Sequence, residues 1–597
     1  MASSEIVTQP PDCRVSHTGP AIYRLKIERF RGIQSLLWHP QLGLNVILGG
    51  GDTGKSTILD AIGLLLSPTN PPTIPNTDYY GRDVANGFLI EAVMAMPPTS
   101  GIDFQFSPSW PWEWDGSDAV VPSAEGDAAA DAQAVYRVRV RATEDLELFH
   151  EIVQPDGTPV IFSVTLRRAL GLVRLAGDDR NDRDLRLVQG SALDRLLSDK
   201  SLRSRMASNI GKDDVAEHLL PDRQSVLSAL DASFARERLP SGLSLSVTGG
   251  QGMSITSMIG LTASRHGVQL PLSSWGAGTR RLSGIAIAEQ NQDYVPVTIV
   301  DEVERGLEPY RQRLLIQRLQ GRQQQAFVTT HSPFVISSAS GAAFWYIDHK
   351  AAIGPLDGRK IAFARTKDPA VFLSRLSVIA EGATELGFVT SLLARALQSP
   401  LEPHGIHVCD GGGHEATLDL LEALADGGLK FAGFADNEGR HPDRWKRLSE
   451  SHGALLFRWA TGCIEENVIG AAPEETLEAL LTDPEEEKTG MRRHSLAQRL
   501  GIGKASFDEI AAEAGDRLRT LMIEAATGSV PDAVSSPGER KAFEKHAQLW
   551  FKSEVGGREL ERKMFTLGLW PSLKNALLPF CNAVRGALEL PASTEPS

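Results

Sequence analysis

One short stretch, Gly49 to Ser56, read as GGGDTGKS, constrains this chain more than any other, because it works at only one place in a fold. It fits G-x-x-x-x-G-K-[ST], and so does its setting. Before it, LGLNVILGG is an apolar run of strand length; after it, STILDAIGLLL carries apolar residues at helical spacing. A strand, a glycine turn and a helix N-terminus in that order let backbone N–H groups curl around phosphate oxygens, and the helix end adds positive potential. Gly49, Gly51 and Gly54 supply the turn. Lys55 reaches terminal phosphates, Ser56 offers a hydroxyl to a magnesium ion, and Thr57 follows on the first helical turn.

The second half of such a site is a strand that ends in acids. VTIVDE provides it: Asp301 is expected to hold magnesium through water, and Glu302 to orient or deprotonate the attacking water. A further strand, QQAFVTT, runs into His331, placed to contact a γ-phosphate. The order GGGDTGKST, SSWGAGTRR, VTIVDEVERGLEP, TTHSPF resembles the phosphate loop, signature, acidic strand and histidine loop of ABC-type ATPases. The signature departs from L-S-G-G-Q, and no glutamine stands out as a Q-loop. Ser274, Gly276 and Gly278 are its candidate nucleotide contacts. In that family the signature caps nucleotide held by another subunit, so the resemblance implies ATP with Mg²⁺ and a homodimer or higher homo-oligomer.

Past about residue 366 a new unit alternates strand and helix, which signals a parallel α/β sheet. Its strand LSVIAEG delivers Glu381, Glu385 lies one helical turn on, and LKFAGFADNEG ends at Asp436 and Glu438, which point the same way off a strand end. Carboxylates gathered at the C-terminal edge of a sheet repel one another unless cations neutralise them, and thiol-free oxygen ligands suit Mg²⁺ or Mn²⁺. Two-metal phosphodiester chemistry needs that layout. EGATE, the glycine turn DGGG and DNE resemble the Toprim fold shared by topoisomerases, bacterial primases and OLD-family nucleases. An ABC ATPase followed by Toprim is the OLD-family arrangement, also seen in the nucleases of Gabija anti-phage systems. That resemblance implies a further metal-binding glutamate, for which Glu465 and Glu466 of GCIEEN compete on spacing. It also implies a catalytic lysine, matched by Lys552, whose ammonium offsets charge on the scissile phosphate. Glu381 joins Lys552 and Glu302 as a catalytic candidate, and Ser56 and Asp301 join the acids as metal ligands. His414 reads more simply as a structural histidine.

The expected architecture is therefore α/β throughout. A flexible N-terminus (1–20) precedes an ABC ATPase N-terminal lobe (21–165) and a helical, dimerising insert (166–240). The ATPase C-terminal lobe (241–366), a Toprim domain with a helical extension (367–590) and a tail (591–597) complete the chain. Such a length exceeds one core, since domains run to roughly 100–200 residues. The stretch from about 100 to 135, rich in Pro, Gly, Asp and Ala, reads as a surface excursion. No run of about 18 apolar residues suggests a membrane span, and no signal-peptide core opens the chain, so the cytoplasm is the expected compartment. Four cysteines lie far apart without C-x-x-C spacing, against a disulfide framework or a zinc ribbon.

A net charge of −14 is unfavourable for a DNA partner on average, because phosphate binding depends on local Lys and Arg. Basic clusters do occur at Arg137 to Arg141, Arg203 and Arg205, Arg280 and Arg281, and Arg492 and Arg493; each taken singly reads as a solvated face. The combined expectation is an ATP-binding, divalent-metal-dependent DNA endonuclease, with anti-phage defence and a helicase encoded nearby implied by the resemblance alone. A topoisomerase would need a tyrosine after the carboxylates begin, and the last is Tyr346. The rival from another class is an ATP-switched DNA-binding sensor that recruits a partner and does not cut.

Overall fold

The computed structural model describes residues 19–595 except 71–73, 105–107, 123–132, 176–182, 189–190, 198–218, 220, 248–258, 291–295, 322–324 and 532–533. Most of the expected flexible N-terminus, Arg203 and Arg205, the middle of the 166–240 insert and the end of the tail lie outside the described residues. The chain divides into two compact units, Met1–Gly358 and Arg359–Ser597.

In the first unit, Ala21–Phe30 pairs antiparallel with Ile33–Trp38 on one side and Phe88–Ala95 on the other; Ala134–Ala142 and Leu148–Val153 extend the same sheet. Beside it runs a six-stranded sheet, ordered Leu172–Leu175, Val297–Val300, Ala326–Thr329, Leu44–Gly49, Ala343–Ile347, Ile353–Leu356, and parallel except for the last pair. Strands covered on both faces must be apolar along their whole length. Leu44–Gly49, Val297–Val300 and Ala326–Thr329 are accordingly buried at every residue. These three are neighbours, so the phosphate loop, Asp301 and His331 emerge from one sheet edge although some 280 residues separate the first from the last.

Two expectations need correction here. The segment VTLRRALGLVRLAG is not one helix of an insert: Val164–Leu170 is helical, but Gly171 takes φ 64° and ends it, and Leu172–Leu175 becomes the edge strand beside Val297–Val300. A left-handed glycine stops a helix, and four residues of LVRL are too few to show a strand period. Among the described residues the insert's helices are Ala192–Leu197 and Pro221–Arg236. Nor is the excursion near residue 115 wholly loose. Trp112–Trp114 pairs with Ala134–Ala142, and both tryptophans are buried with Tyr23 and Val135 in a small core of their own. Tryptophans repay ordering with large buried areas, which a Pro/Gly count misses.

The second unit carries a four-stranded parallel sheet, ordered Ile406–Asp410, Leu376–Ala380, Phe431–Ala435, Leu456–Arg458. Helix Ala383–Leu397 packs tightly on helix Glu554–Thr566: a Cβ added at Gly387 would lie 1.9 Å from the Glu554 carbonyl, and one at Gly557 2.0 Å from the Thr384 carbonyl. Backbone cannot yield as a side chain does. Gly557→Ala is therefore expected to destabilise this unit by about 1–3 kcal/mol, the usual cost of overpacking, read as a lowered urea midpoint. Arg492 is no surface cation. It is fully buried, and it donates to both oxygens of Glu559 at 2.7 and 2.8 Å and to the carbonyls of Leu481, Leu549 and Trp550.

Candidate functional site

The phosphate loop ends at Gly54, whose φ of 102° turns the chain into helix Lys55–Leu65. A side chain at Gly49 would meet the Ile347 carbonyl at 2.6 Å, so that position is closed to anything larger. The Lys55 ammonium donates to the carbonyls of Gly49 and Gly50 at 3.0 and 2.5 Å. Burial pushes its pKa below the ordinary lysine range, opposed by Asp301, Asp52, Glu302 and Glu304. Ser56 Oγ donates to Asp301 Oδ1 at 3.1 Å, and Thr329 Oγ1 donates to the same oxygen at 2.6 Å. A hydroxyl and a carboxylate in contact across a strand edge form the pair that shares a magnesium ion beside a phosphate. Gly51, Gly54, Lys55, Ser56, Thr57, Asp301, Glu302 and His331 all line one cavity of about 400 Å³.

Glu302 sits at φ 49°, is half exposed, and lies 3.4 Å from Arg305. Glu304 accepts from the Thr330 hydroxyl and the His331 amide, both at 2.7 Å, and so fixes the histidine turn. Ser274, Gly276 and Gly278 lie outside that cavity's lining in this chain. Gly278 serves packing, since a Cβ there would lie 2.2 Å from the Gly306 carbonyl. Sequence reasoning also missed Arg281. It is buried, not solvated, and donates to the carbonyls of Asp301, Glu302 and Arg305, so it clamps the loop that follows the acidic strand. An arginine beside a second arginine gave no signal of this.

In the second unit the C-terminal edge of the parallel sheet gathers acids. Glu381 Oε2 accepts from the Asp436 amide at 3.1 Å, and Asp436 Oδ1 accepts from the Ile464 amide at 3.1 Å, at the N-terminus of helix Ile464–Gly470. Glu465 on that helix is fully buried and lies 3.1 Å from the Lys552 ammonium. Glu466 instead accepts from the Cys463 amide and caps its own helix. Glu385, 5 % exposed, keeps one oxygen without a hydrogen-bond partner among the described residues. Glu438 stands apart: it is half exposed, 3.4 Å from Arg440, and reaches Glu381 only through its charge.

Crowding shows in the protonation. Burial, then Glu385, Glu465 and Glu381, raise Asp436 to about 9; burial, then Glu465, raise Glu385 to about 7. Burial raises Glu381 as well, against the pull of His414. Burial opposes the Lys552 charge, but Glu465 and Glu385 hold that ammonium above the ordinary lysine range. Among the described residues no three His, Cys, Asp or Glu side chains stand in the geometry of a metal ligand set. The unpartnered Glu385 oxygen and the suppressed ionisation of Asp436 nevertheless fit a cation, because added positive charge relieves both.

A raised carboxyl pKa makes stability fall with pH, since the folded state keeps a proton that the unfolded chain releases near ~3.9 for Asp. Asn cannot titrate. Without divalent ions, the parent is therefore expected to lose stability relative to Asp436→Asn as pH rises from about 5 to about 9. Urea titrations at several pH values check this, and a constant difference would contradict it.

Residues 44–337 match the family described as "AAA domain, putative AbiEii toxin, Type IV TA system". No curated protein matches the chain. Solved structures of similar shape include an SMC head bound to the C-winged helix domain of ScpA. It is 15% identical, with 56% of this chain and 97% of that one covered, at a TM-score of 0.36. The recombination mediator RecF is 14% identical, with 57% and 99% covered, at a TM-score of 0.36. An SMC head domain from Thermotoga maritima is 15% identical, with 56% and 99% covered, at 0.27. Residues 44–337, in the first unit, are thus similar to an ATPase domain of the AAA kind. No helix among the described residues is long and apolar enough to cross a membrane.

Proposed function

We propose that this chain is an ATP-binding, divalent-metal-dependent DNA endonuclease, with its ATPase in the first unit and a Toprim-like phosphodiester-cutting centre in the second. The observation that carries this reading is the burial of Glu381, Glu385, Asp436 and Glu465 at one sheet edge beside Lys552. Four mutually repelling acids are a poor way to stabilise a fold, and they have a use where cations bind. Glu381, Glu385, Asp436 and Glu465 would hold Mg²⁺ or Mn²⁺, with Glu438 at the rim. Bound there, such ions supply water activation and stabilisation of the departing oxygen.

The chain's own residues do the rest. The Asp436 and Ile464 amides fix the carboxylates of Glu381 and Asp436, and Arg458 Nε, donating to the Asp436 carbonyl at 3.2 Å, holds the strand end. Lys552, the only ammonium contacting the cluster among the described residues, faces the negative charge that develops on a phosphate. In the ATPase unit, Lys55 would bind terminal phosphates, Ser56 and Asp301 would hold a magnesium ion, and Glu302 and His331 would act at the γ-phosphate. Ser274, Gly276 and Gly278 would complete the site from a second copy, which makes the working form a homodimer or higher homo-oligomer. Cytoplasmic anti-phage defence, with a helicase partner, extends the same reading.

One observation favours a second reading. Lys552 already neutralises the buried Glu465 from a partly exposed position, as in an inert ion pair, and an ATP-switched DNA-binding protein that recruits a partner would need no more. Plasmid cleavage in Mg²⁺ or Mn²⁺ separates the two. Cutting by the parent that disappears in Glu381→Ala supports the nuclease; a parent that binds DNA and ATP without cutting supports the recruiter.

A further inference from the structure

His414 is 8 % exposed; its Nε2 meets no hydrogen-bond partner among the described residues, and its Nδ1 meets only Glu381, at a long distance. A buried polar group so poorly partnered is costly, and its persistence calls for a ligand. Its place is defined. His414 opens helix His414–Gly427 directly after the glycine turn, and the Gly413 amide donates to the Glu381 carbonyl at 2.9 Å, which ties that turn to the strand end. Trp445 and His441 flank the ring with centroids at 6.0 Å, and His441 is itself engaged with Glu415.

The Nδ1 nitrogen stands 3.5 Å from Glu381 Oε1. That is long for a charge-assisted hydrogen bond, which runs to about 2.7–2.9 Å. It matches two ligands that share one ion, since bonds of about 2.0–2.2 Å opened to a tetrahedral angle set their atoms roughly 3.3–3.6 Å apart. We propose that His414 and Glu381 ligate one divalent transition-metal ion, so that this half of the acidic edge selects such ions over Mg²⁺. Mg²⁺ demands oxygen, whereas imidazole suits the transition metals. The other half, Glu385, Asp436 and Glu465, is all oxygen and does not discriminate this way. Remaining positions on the ion stay open to water and to a phosphate oxygen. The inference rests on the metal-dependent reading of this edge but adds to it a nitrogen ligand and the identity of the ion.

The test loads the full chain with Mn²⁺ and records its electron paramagnetic resonance for coupling to a bound imidazole nitrogen, with Mg²⁺ as competitor. Nitrogen coupling is expected in the parent and absent in His414→Ala and His414→Gln. Mn²⁺ affinity should fall in both variants by about tenfold or more, the scale seen when a metal site loses supporting groups, while Mg²⁺ affinity holds within about twofold. Circular dichroism of His414→Gln checks the fold; should both variants unfold, the parent spectrum decides alone. If the parent binds Mn²⁺ in a Glu381-dependent way without nitrogen coupling, the His414 assignment falls and the metal reading stands. If Glu381→Ala leaves Mn²⁺ binding unchanged, the His414–Glu381 site falls; if the parent binds no divalent ion, the metal reading falls with it.

Discussion

Lys55→Ala is expected to abolish nucleotide binding at concentrations that saturate the parent. Lys55 is 7 % exposed in a cavity that Asp52, Asp301 and Glu302 also line, and the present partners of its ammonium are two loop carbonyls. A triphosphate offers the same donor far stronger acceptors. Charge-assisted hydrogen bonds are worth about 1.5–3 kcal/mol each, so losing two costs roughly 3–6 kcal/mol. At about 1.4 kcal/mol per factor of ten, that is more than a hundredfold in affinity. The true loss is larger, because without Lys55 the neighbouring Asp52, Asp301 and Glu302 repel the phosphates. Calorimetric titration with a non-hydrolysable nucleotide reads it directly, and an unchanged affinity would remove the phosphate-loop assignment. Metal binding at the second unit's acids should survive, since Lys55 belongs to the other compact unit.

Glu381→Ala and Asp436→Asn should each eliminate DNA cleavage while leaving ATP turnover intact. Both carboxylates are more than nine-tenths buried, and each is oriented by a backbone amide, so no neighbour can take their place. Losing one arm of a cation site forfeits several kcal/mol of transition-state stabilisation, about a thousandfold or more in rate. Asp436→Asn is the sharper variant, because it keeps shape and removes only charge. Neither change should unfold the protein, since Glu381→Ala removes an acid from a crowded edge and Asp436→Asn replaces a carboxyl already held protonated with a neutral group of the same shape. Cleavage of plasmid DNA that persists in both variants at the parent's rate would dismiss the acidic edge as the cutting centre.

The phosphate loop was legible because its chemistry is local. Gly49 to Ser56 needs only a strand before it and a helix after it, and both patterns are written in adjacent residues. The acids were legible as strand-end residues for the same reason. Less legible was anything decided across the sheet. Leu172–Leu175 became a strand because Val297–Val300 offered it an edge, although its own text continues a helix. Arg281 and Arg492 read as members of surface clusters, yet each is buried against carbonyls or Glu559 that lie far off in sequence or around a turn. His414 read as an ordinary structural histidine, and only its burial with a single long contact, to Glu381, makes it a ligand candidate.

The amino-acid order by itself set the local geometry: where glycine must turn, where apolar runs become buried strands, and which acids stand at strand ends. It did so because backbone sterics and side-chain period act over a few residues. Tertiary structure alone set Glu465 apart from Glu466, by turning one toward Asp436 and Lys552 and giving the other to its helix cap. It also left Glu438 at the rim and brought His414 to Glu381. Electrostatic crowding depends on distance through space, and no spacing along a chain encodes that distance until the sheet has formed.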